Sequence, residues 1–366
     1  MDFFNLNFDL SRSKQAILNR IEKVLDHQQF IDGPEVEELE KRLSQLVHGR
    51  IAITVSSGTD ALLLALMSAG VGHEDEVITT PLTWSATVDV IIRLGARPVF
   101  VDIDPETLQL DPKNLSKAVS SRTKAIVPVS LYGNIPEMDA IKEVARENEL
   151  IVIEDGAQSL GSKYKGAPSG ALTDIGTTSF FPAKVLGAFG NAGCIFVSDA
   201  EHARRIRMLR FHGQSERNHH EVLGLNARMD TIQAAILLER LSYLDDLMRL
   251  RSEIAARYNE AFTAAGGRVR VPHIHPHVEC NWAHYVVRVQ DRGKLENFFS
   301  KKSIPFRVHY PTLMCDQPAF RSHCRSIGNL DHARSAVTEI VTLPIYPGMT
   351  NDDVATVIET VLSAVK

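Results

Sequence analysis

The sequence predicts an α/β fold with a large, mainly parallel sheet domain and a smaller C-terminal α/β domain. Short runs of β-branched residues alternate with helical stretches through the first half of the chain, and this alternation is typical of a parallel sheet covered on both faces. Beyond residues 264–267, which are small, the pattern changes to the strands and helices of a second unit. The 366 residues are enough for both units, and we place the boundary between residues 1–245 and 246–366.

The elements follow from the spacing of apolar residues. A helix is expected over residues 11–27, and a second opens at Pro34, where proline and the acids of the first turn are favourable. In the large domain the predicted strands are 50–55, 76–80, 98–102, 124–129 and 150–155. The predicted helices of that domain are 61–66, 86–94, 112–118, 138–147, 199–209 and an apolar helix from about 231 that continues, with a break, to 254. For the second domain we predict strands at 285–289 and 306–309 and helices at 294–301 and 352–364.

Composition excludes several classes of protein. The formal net charge of −5 and the absence of a basic run argue against nucleic acid as a partner. The first residues lack the basic and apolar regions of a signal peptide, and no window is apolar enough to span a membrane. Four cysteines are too few and too irregularly spaced for a disulfide framework or a paired zinc motif. We therefore expect a reduced, cytoplasmic protein without membrane or nucleic-acid partners.

Polar residues gather where the predicted strands end, at residues 57–59, 81–84, 155–158 and 179–184. In open parallel sheets, ligands bind at the carboxyl ends of the strands. The segment Ser57-Gly58-Thr59 leads from a strand into a helix, and the free amides of a helix N-terminus favour an anion. A plain helix cap by Ser57 or Asp60 is the alternative.

Lys184 lies on a loop between apolar runs, next to two aromatic residues and Pro182, and before a glycine-rich stretch. Desolvation lowers the pKa of a lysine and frees its lone pair for attack on a carbonyl. The alternative is a surface lysine on a turn. The glycines Gly187, Gly190 and Gly193 follow this loop rather than a first strand, so they do not indicate a dinucleotide site.

Several motifs, in a fixed order along the chain, carry a resemblance to a known family. They are SSGTDAL (56–62), PLTWSAT (81–87), VDID (101–104), PVSLYGN (128–134), EDGAQS (154–159), TSFFPAK (178–184), NARMD (226–230) and VHYP (308–311). In these motifs the chain closely resembles the sugar aminotransferases of the DegT/DnrJ/EryC1/StrS family, which are fold-type I enzymes dependent on pyridoxal phosphate. The resemblance implies a large, mainly parallel sheet of seven strands.

The resemblance also implies roles for individual residues toward pyridoxal phosphate. Lys184 matches the lysine that binds the cofactor as a Schiff base, and Asp155 matches the carboxylate that pairs with the ring nitrogen. A negative partner keeps that nitrogen protonated, so that the ring accepts electrons. The other positions that match cofactor-binding residues of the family are Gly58, Thr59 and Ser179 at the phosphate, Trp84 and Ala157 on the two ring faces, and Gln158 near the phenolic oxygen.

Further matches concern a partner subunit and the substrate. Asn226 matches an asparagine that the family donates to the phosphate from the neighbouring subunit, which implies a homodimer with composite active sites. Arg228, His309 and Tyr310 match positions that line the sugar-nucleotide pocket. Each of these residues also has a plain structural alternative, which is a helix cap for Asp155 and Asn226, core packing for Trp84, and a surface contact for the other three.

The motifs imply a reaction in two halves, in which L-glutamate gives its amino group to the cofactor and a nucleotide-linked keto sugar then receives it. The chain looks most like members that act on UDP-linked 3-keto hexuronates in surface-polysaccharide or lipopolysaccharide synthesis. A UDP- or dTDP-linked 4-keto or 3-keto deoxyhexose is the alternative substrate. A cofactor-dependent lyase or decarboxylase of amino acids and a non-catalytic scaffold are the rival classes.

Two features depart from the resemblance or look like another kind of site. Gly190-Asn191-Ala192-Gly193 stands where the family usually reads G-D-G-G, so a carboxylate is missing there. His273, His275, His277 and Cys280 resemble metal ligands, but alternate residues of a short proline-containing segment more often form a solvated edge. We therefore predict no metal site.

Overall fold

The computed structural model describes all 366 residues apart from the side chains of Asn7 and Asp9. The helices are α1 (Asn7–His27), α2 (Pro34–Leu46), α3 (Gly58–Ser68), α4 (Ser85–Arg93), α5 (Leu115–Ala118), α6 (Met138–Glu147), α7 (Ala200–Leu209), α8 (Thr231–Leu241), α9 (Leu244–Thr263), α10 (Arg292–Lys301), α11 (Asp331–Glu339) and α12 (Asn351–Ala364). The strands are β1 (Ile51–Val55), β2 (Glu76–Thr79), β3 (Arg97–Phe100), β4 (Thr123–Val127), β5 (Ile151–Asp155), β6 (Lys163–Tyr164), β7 (Ala167–Pro168), β8 (Ile175–Ser179), β9 (Gly193–Val197), β10 (Gln214–Glu216), β11 (His219–His220), β12 (Val278–Glu279), β13 (Tyr285–Arg288), β14 (Arg325–Ser326) and β15 (Ile340–Leu343).

The large sheet has eight strands in the order β1-β9-β8-β5-β4-β2-β3-β14. Strand β9 runs antiparallel to its neighbours β1 and β8, and the remaining neighbours pair in parallel. The predicted α/β fold with a mainly parallel sheet is therefore confirmed. The eighth strand, β14, was not predicted, because its two residues, Arg325 and Ser326, carry no apolar pattern of their own.

The strand directions bring distant parts of the chain to one edge of the sheet. Because β1, β2, β4, β5 and β8 all point the same way, the residues that follow each of them meet at the carboxyl edge. The strands themselves are buried, as their apolar composition requires, and helices such as α3 and α8 cover the two faces of the sheet. The sheet thus holds the strand-end residues on a rigid support.

A second core lies in the C-terminal part of the chain. Strands β13 and β15 pair antiparallel, and α9, α10 and α12 pack around them through a buried cluster that includes Tyr258, Phe262 and Tyr285. Helix α12 begins with a capping box, in which Thr350 and Asp353 satisfy each other's backbone amides. The division at residues 245 and 246 stays a prediction, although β14 shows that the C-terminal part also reaches the edge of the large sheet.

The structure departs from the predicted elements at two places and confirms the predicted break at a third. Residues 306–309 do not form a strand, since Arg307 makes an isolated bridge to Thr342. Residues 211–225, for which no helix or strand is predicted above, contain the short hairpin β10–β11. The break expected in the long apolar helix lies at residues 242–243, between α8 and α9.

Candidate active site

A cavity of about 420 Å³ opens at the carboxyl edge of the large sheet. Its wall combines a lysine, a carboxylate, hydroxyls, helix N-terminal residues and aromatic rings. The lining residues are Ser57, Gly58, Thr59, Leu62, Thr83, Trp84, Ala86, Val129, Asp155, Ala157, Gln158, Ser179, Phe181, Lys184, Asn191, Ala192 and Tyr310. Nine of the predicted site residues, from four separate strand ends and the C-terminal part, therefore share one cavity.

The loop that carries Lys184 is held by backbone hydrogen bonds. The Phe180 amide donates to the Ala192 carbonyl at 2.8 Å, and the Lys184 amide donates to the Phe181 carbonyl at 2.8 Å. The buried guanidinium of Arg240 donates to the Gly187 carbonyl. A side chain at Gly187 would place its Cβ 2.5 Å from the Pro182 carbonyl oxygen, so the loop closes on itself only with glycine there.

Lys184 and Asp155 both line the cavity, and the charge of each affects the pKa of the other. Burial lowers the pKa of Lys184 to about 8, and the negative charge of Asp155 opposes that shift. Burial raises the pKa of Asp155, whereas Thr87, the Ala157 amide and Lys184 act in the opposite direction. Near neutral pH a fraction of Lys184 is therefore a neutral amine. The hydrogen-bond donors around Asp155 favour its ionised form.

The N-terminus of α3 forms one wall of the cavity. Ser57 caps the helix, since its hydroxyl oxygen accepts from the Asp60 amide at 3.0 Å. The first amides of a helix lack partners within it, and Gly58 and Thr59 lie at the cavity. The predicted cap and the predicted anion site are thus compatible, because Ser57 uses the amide of Asp60 and leaves those before it.

Ring-shaped side chains frame the opening. Trp84 is 59% exposed and so does not pack in the core. Its ring centre lies 5.6 Å from that of Tyr310. Gln158 donates from Nε2 to the Tyr310 hydroxyl at 3.2 Å and accepts from the Tyr132 amide at 2.7 Å. Burial and the charge of Asp155 raise the pKa of Tyr310, so its hydroxyl stays protonated at neutral pH.

Comparison with known proteins identifies this constellation. Residues 11–362 match the DegT/DnrJ/EryC1/StrS aminotransferase family. The chain belongs to that family. The UDP-2-acetamido-2-deoxy-3-oxo-D-glucuronate aminotransferase of Pseudomonas aeruginosa is 42% identical over 347 residues, which are 95% of each chain.

Solved structures agree with the fold and with the cofactor. The aminotransferase is similar to S. venezuelae DesV, with a TM-score of 0.96, 34% identity and coverage of 100% of this chain and 98% of that one. It is also similar to NtdA from Bacillus subtilis, solved with bound pyridoxamine phosphate, with a TM-score of 0.89, 32% identity and coverage of 96% and 82%. The cofactor of the aminotransferase is therefore pyridoxal phosphate.

Three of the predicted site residues do not line this cavity. Asn226 is exposed and pairs with Phe211 in an isolated bridge. Arg228 donates to Asp32 at 3.1 Å and lies over the ring of Phe211, 4.0 Å from its centre. Their roles toward phosphate and substrate stay predictions that require a second subunit.

His309, the third of these residues, lies behind the cavity. Its Nδ1 is 3.0 Å from the Thr342 hydroxyl, and its ring lies 4.3 Å from that of His284. The Tyr132 hydroxyl donates to its carbonyl. Burial and then the charge of Lys184 lower the pKa of His309 to about 4. A neutral His309 can support the adjacent Tyr310, but a contact with substrate stays a prediction.

The sequence interpretation missed several residues of the site. Thr83 lines the cavity, and Thr87 contacts Asp155. Both lie in the PLTWSAT motif, in which Thr83 directly precedes the N-cap residue of α4 and Thr87 lies in the first turn of that helix. Their hydroxyls are 2.9 Å apart. Asn191, noted as a departure from the family, also lines the cavity.

Two histidines of the segment 273–280 make ion pairs with an acidic residue. His275 and His277 both approach Glu137, at 3.3 and 2.8 Å, and their rings stack. Among the residues that the structure describes, no three His, Cys, Asp or Glu side chains are arranged to hold a metal ion. None of the described helices is long and apolar enough to cross a bilayer.

Proposed function

We propose that the protein transfers the amino group of L-glutamate to the 3-keto group of a UDP-linked hexuronate. The observation that carries this proposal is the 42% identity, over 95% of both chains, to an enzyme named for a UDP-linked 3-oxo-glucuronate. A role in surface-polysaccharide synthesis stays a prediction of the resemblance, and a cytoplasmic location stays a prediction of the composition.

The residues of the cavity fit the cofactor. Gly58 allows the N-terminus of α3 to lie close to Ser179, since a Cβ at position 58 would lie 2.6 Å from Cβ of Ser179. We assign the phosphate to the amides of Gly58 and Thr59 and to the Ser179 hydroxyl, because a helix N-terminus favours an anion. Lys184 offers a buried amine at the other end of the same cavity.

Pyridoxal phosphate, when bound, supplies a carbonyl that carries the amino group and a ring that accepts electrons. We assign Lys184 to hold the cofactor and, once released by glutamate, to move a proton between the α-carbon of glutamate and the carbonyl carbon of the cofactor. Asp155 holds the proton on the ring nitrogen. Trp84 and Ala157 cover the ring faces, and Gln158 lies near the phenolic oxygen and orients Tyr310.

We infer that the active enzyme is a homodimer with composite sites. Asn226 and Arg228 lie outside the cavity of their own chain, although they match family positions that act on phosphate and sugar. Trp84 and Phe181 line the cavity with 59% and 52% of their surfaces exposed, and clusters of exposed aromatic rings are typical of surfaces that bind a ligand or a second protein. A second subunit would cover these rings and bring Asn226 to the phosphate.

The test is incubation of the purified, cofactor-loaded protein with L-glutamate and a panel of keto sugars. The panel contains a UDP-linked 3-keto hexuronate and UDP- and dTDP-linked 3-keto and 4-keto deoxyhexoses, with products read by mass spectrometry. We expect amination of the hexuronate with an equal amount of 2-oxoglutarate. Preferred amination of a deoxyhexose would show that the hexuronate is the wrong substrate assignment. Unchanged masses of all the sugars would contradict the proposal.

The same assay separates an aminotransferase from an enzyme that acts on amino acids only, because the latter would aminate no sugar. A second experiment, the substitution Lys184→Ala, addresses the non-catalytic scaffold. A scaffold would keep its biological output after this substitution, whereas an aminotransferase would lose it.

A further inference from the structure

The carboxylate of Asp155 accepts a hydrogen bond from the hydroxyl of Thr87. Thr87 Oγ1 donates to Asp155 Oδ2 at 2.7 Å, and the Ala157 amide donates to Oδ1 at 3.2 Å. Thr87 is 1% exposed and Asp155 is 5% exposed. Thr87 lies in the first turn of α4 and does not line the cavity, whereas Asp155 does.

The direction of these hydrogen bonds follows from the chemistry of the groups. An ionised carboxylate only accepts hydrogen bonds, so the proton of the Thr87 hydroxyl is committed to Asp155. The Thr87 oxygen therefore accepts from the Thr83 hydroxyl, which lies 2.9 Å away. The Thr83 hydroxyl thus donates to Thr87, and the Thr87 hydroxyl donates to the carboxylate of Asp155.

This chain belongs to the same turn that carries Trp84. Trp84 is the N-cap residue of α4, and its carbonyl accepts from the Thr87 amide at 3.3 Å. Residues 83, 84 and 87 lie together at the start of α4. The same short segment of backbone therefore positions both the Trp84 ring at the cavity and the hydroxyls that support the Asp155 carboxylate. The positive end of the α4 dipole also favours a negative charge at this point.

We propose that Thr87 is a positioning residue that keeps Asp155 ionised and oriented toward the ring nitrogen of bound pyridoxal phosphate, with Thr83 orienting Thr87. The proposal rests on the assignment of Asp155 to the ring nitrogen, but not on the identity of the keto sugar. Without its donors the carboxylate would be a stronger base and would draw the ring proton to itself. The ring would then lose the charge that binds it to Asp155.

The groups that face Asp155 come from four elements. Thr87 approaches from α4, the Ala157 amide from the turn after β5, Lys184 from the loop after β8, and Tyr310 from the C-terminal part. Lys184 is the charged group of this set, and its amine is used to hold the cofactor. Thr87, at 2.7 Å, is closer to the carboxylate than the Ala157 amide is.

The test compares two ligands in four proteins. The dissociation constants of pyridoxal phosphate and of its analogue with carbon in place of the ring nitrogen are measured for the wild type, Thr87→Val, Thr87→Ser and Thr79→Val. Thr79→Val is the matched control, because Thr79 is a buried threonine whose hydroxyl donates to the Val127 carbonyl at 2.8 Å, away from the site.

We expect Thr87→Val to weaken binding of pyridoxal phosphate about tenfold, which is typical of a lost hydrogen bond to a charged group, and to leave binding of the analogue unchanged. Thr87→Ser restores the wild-type value, and Thr79→Val matches the wild type with both ligands. Equal weakening of both ligands, or no weakening of either, overturns the proposal.

A second variant guards against loss of the fold. If Thr87→Val does not fold, Thr83→Val is measured instead, and we expect a smaller weakening that is again confined to pyridoxal phosphate. Equal effects of Thr83→Val on both ligands overturn the proposal as well. Failure of the wild type to bind pyridoxal phosphate would overturn the assignment of the cofactor site itself, which is a different outcome.

Discussion

At the scale of single residues, Lys184 and Asp155 respond to burial in opposite directions. Burial lowers the pKa of Lys184 to about 8 and raises that of Asp155. The lysine gains reactivity from this effect, since its neutral form is the nucleophile. The aspartate needs hydrogen-bond donors to stay ionised, and Thr87 and the Ala157 amide provide them.

The lowered pKa of Lys184 predicts a pH dependence of stability in the cofactor-free protein. Between pH 8 and 10.5 the unfolded chain keeps the lysine proton and the folded chain has lost it. Stability therefore rises with pH across this window, by about 3 kcal/mol for this group. Denaturant unfolding of the cofactor-free wild type and of Lys184→Met, at pH 7.5 and 10, measures the effect by difference, because other groups titrate equally in both. A constant difference between the two proteins would contradict the lowered pKa.

The residues that hold Lys184 and Asp155 were less predictable than the two residues themselves. The motifs indicated Lys184 and Asp155 because strand ends and family resemblance both pointed to them. Thr87 reaches Asp155 across 68 positions of sequence, and Gln158 reaches the Tyr132 amide across 26. No local pattern encodes such contacts, since they depend on how separate strand ends meet in the fold.

At the scale of elements, the N-terminus of α3 depends on a close contact with the end of β8. A Cβ at Gly58 would lie 2.6 Å from Cβ of Ser179, whereas a Cβ at Gly72, in the turn after α3, would meet nothing within 4 Å. Position 58 therefore requires glycine, whereas position 72 tolerates alanine.

This contact predicts different outcomes for two glycine substitutions. We expect Gly58→Ala to lower the free energy of unfolding by about 1–3 kcal/mol and to weaken binding of pyridoxal phosphate. Gly72→Ala should change stability by less than about 0.5 kcal/mol and leave binding unaltered. Thermal unfolding and cofactor titration measure both quantities. Wild-type binding by Gly58→Ala would argue against the phosphate assignment.

Most of the longer elements were predicted, although the helix α11 and the strands β8 and β9 were not, and the shortest elements were missed. Strands such as β5 carry continuous apolar runs, and α6 begins and ends where its pattern predicted. The two-residue strands β6, β7 and β14 have no pattern to read. Residues 306–309 alternate like a strand, yet Arg307 pairs with Thr342 in a single bridge. Three residues later, Tyr310 lines the cavity.

At the scale of the whole molecule, a buried ion pair joins the C-terminal part to the large sheet. Glu76 is 1% exposed and accepts from Arg325 Nε at 3.0 Å and Nη2 at 2.7 Å. Ser120 and Arg122 also donate to it, at 2.7 and 3.1 Å. The hydrogen bond from Arg325 is the largest cause that lowers the pKa of Glu76 to about 2.

The lowered pKa of Glu76 predicts where the stability from this pair is lost. Its contribution is fully present above the ordinary value of 4.5 and disappears as the pH falls toward 2, with a size of about 3 kcal/mol. Glu76→Gln should therefore destabilise the protein at pH 7, and the gap to the wild type should narrow below pH 4.5. Asp89→Asn, which breaks the exposed pair with Arg93, is the control and should have a much smaller effect. A gap that stays constant from pH 7 to 3.5 would contradict the pKa.

The proposed homodimer predicts that two inactive variants restore each other. Lys184→Ala and Asn226→Asp should each abolish most activity, the second because a carboxylate repels the phosphate. If Asn226 acts across the interface, a co-expressed mixture contains heterodimers with one intact site, and about a quarter of the wild-type activity returns by random pairing. No recovery would place Asn226 in its own subunit's site, and full activity of Asn226→Asp alone would remove it from the site.

The position at which borohydride fixes the cofactor tests the central claim most directly. After reconstitution with pyridoxal phosphate, reduction and proteolysis, we expect the phosphopyridoxyl group on the peptide that contains Lys184, and no adduct in Lys184→Ala. A wild-type adduct on a different lysine, or a colourless protein without any adduct, would contradict the account.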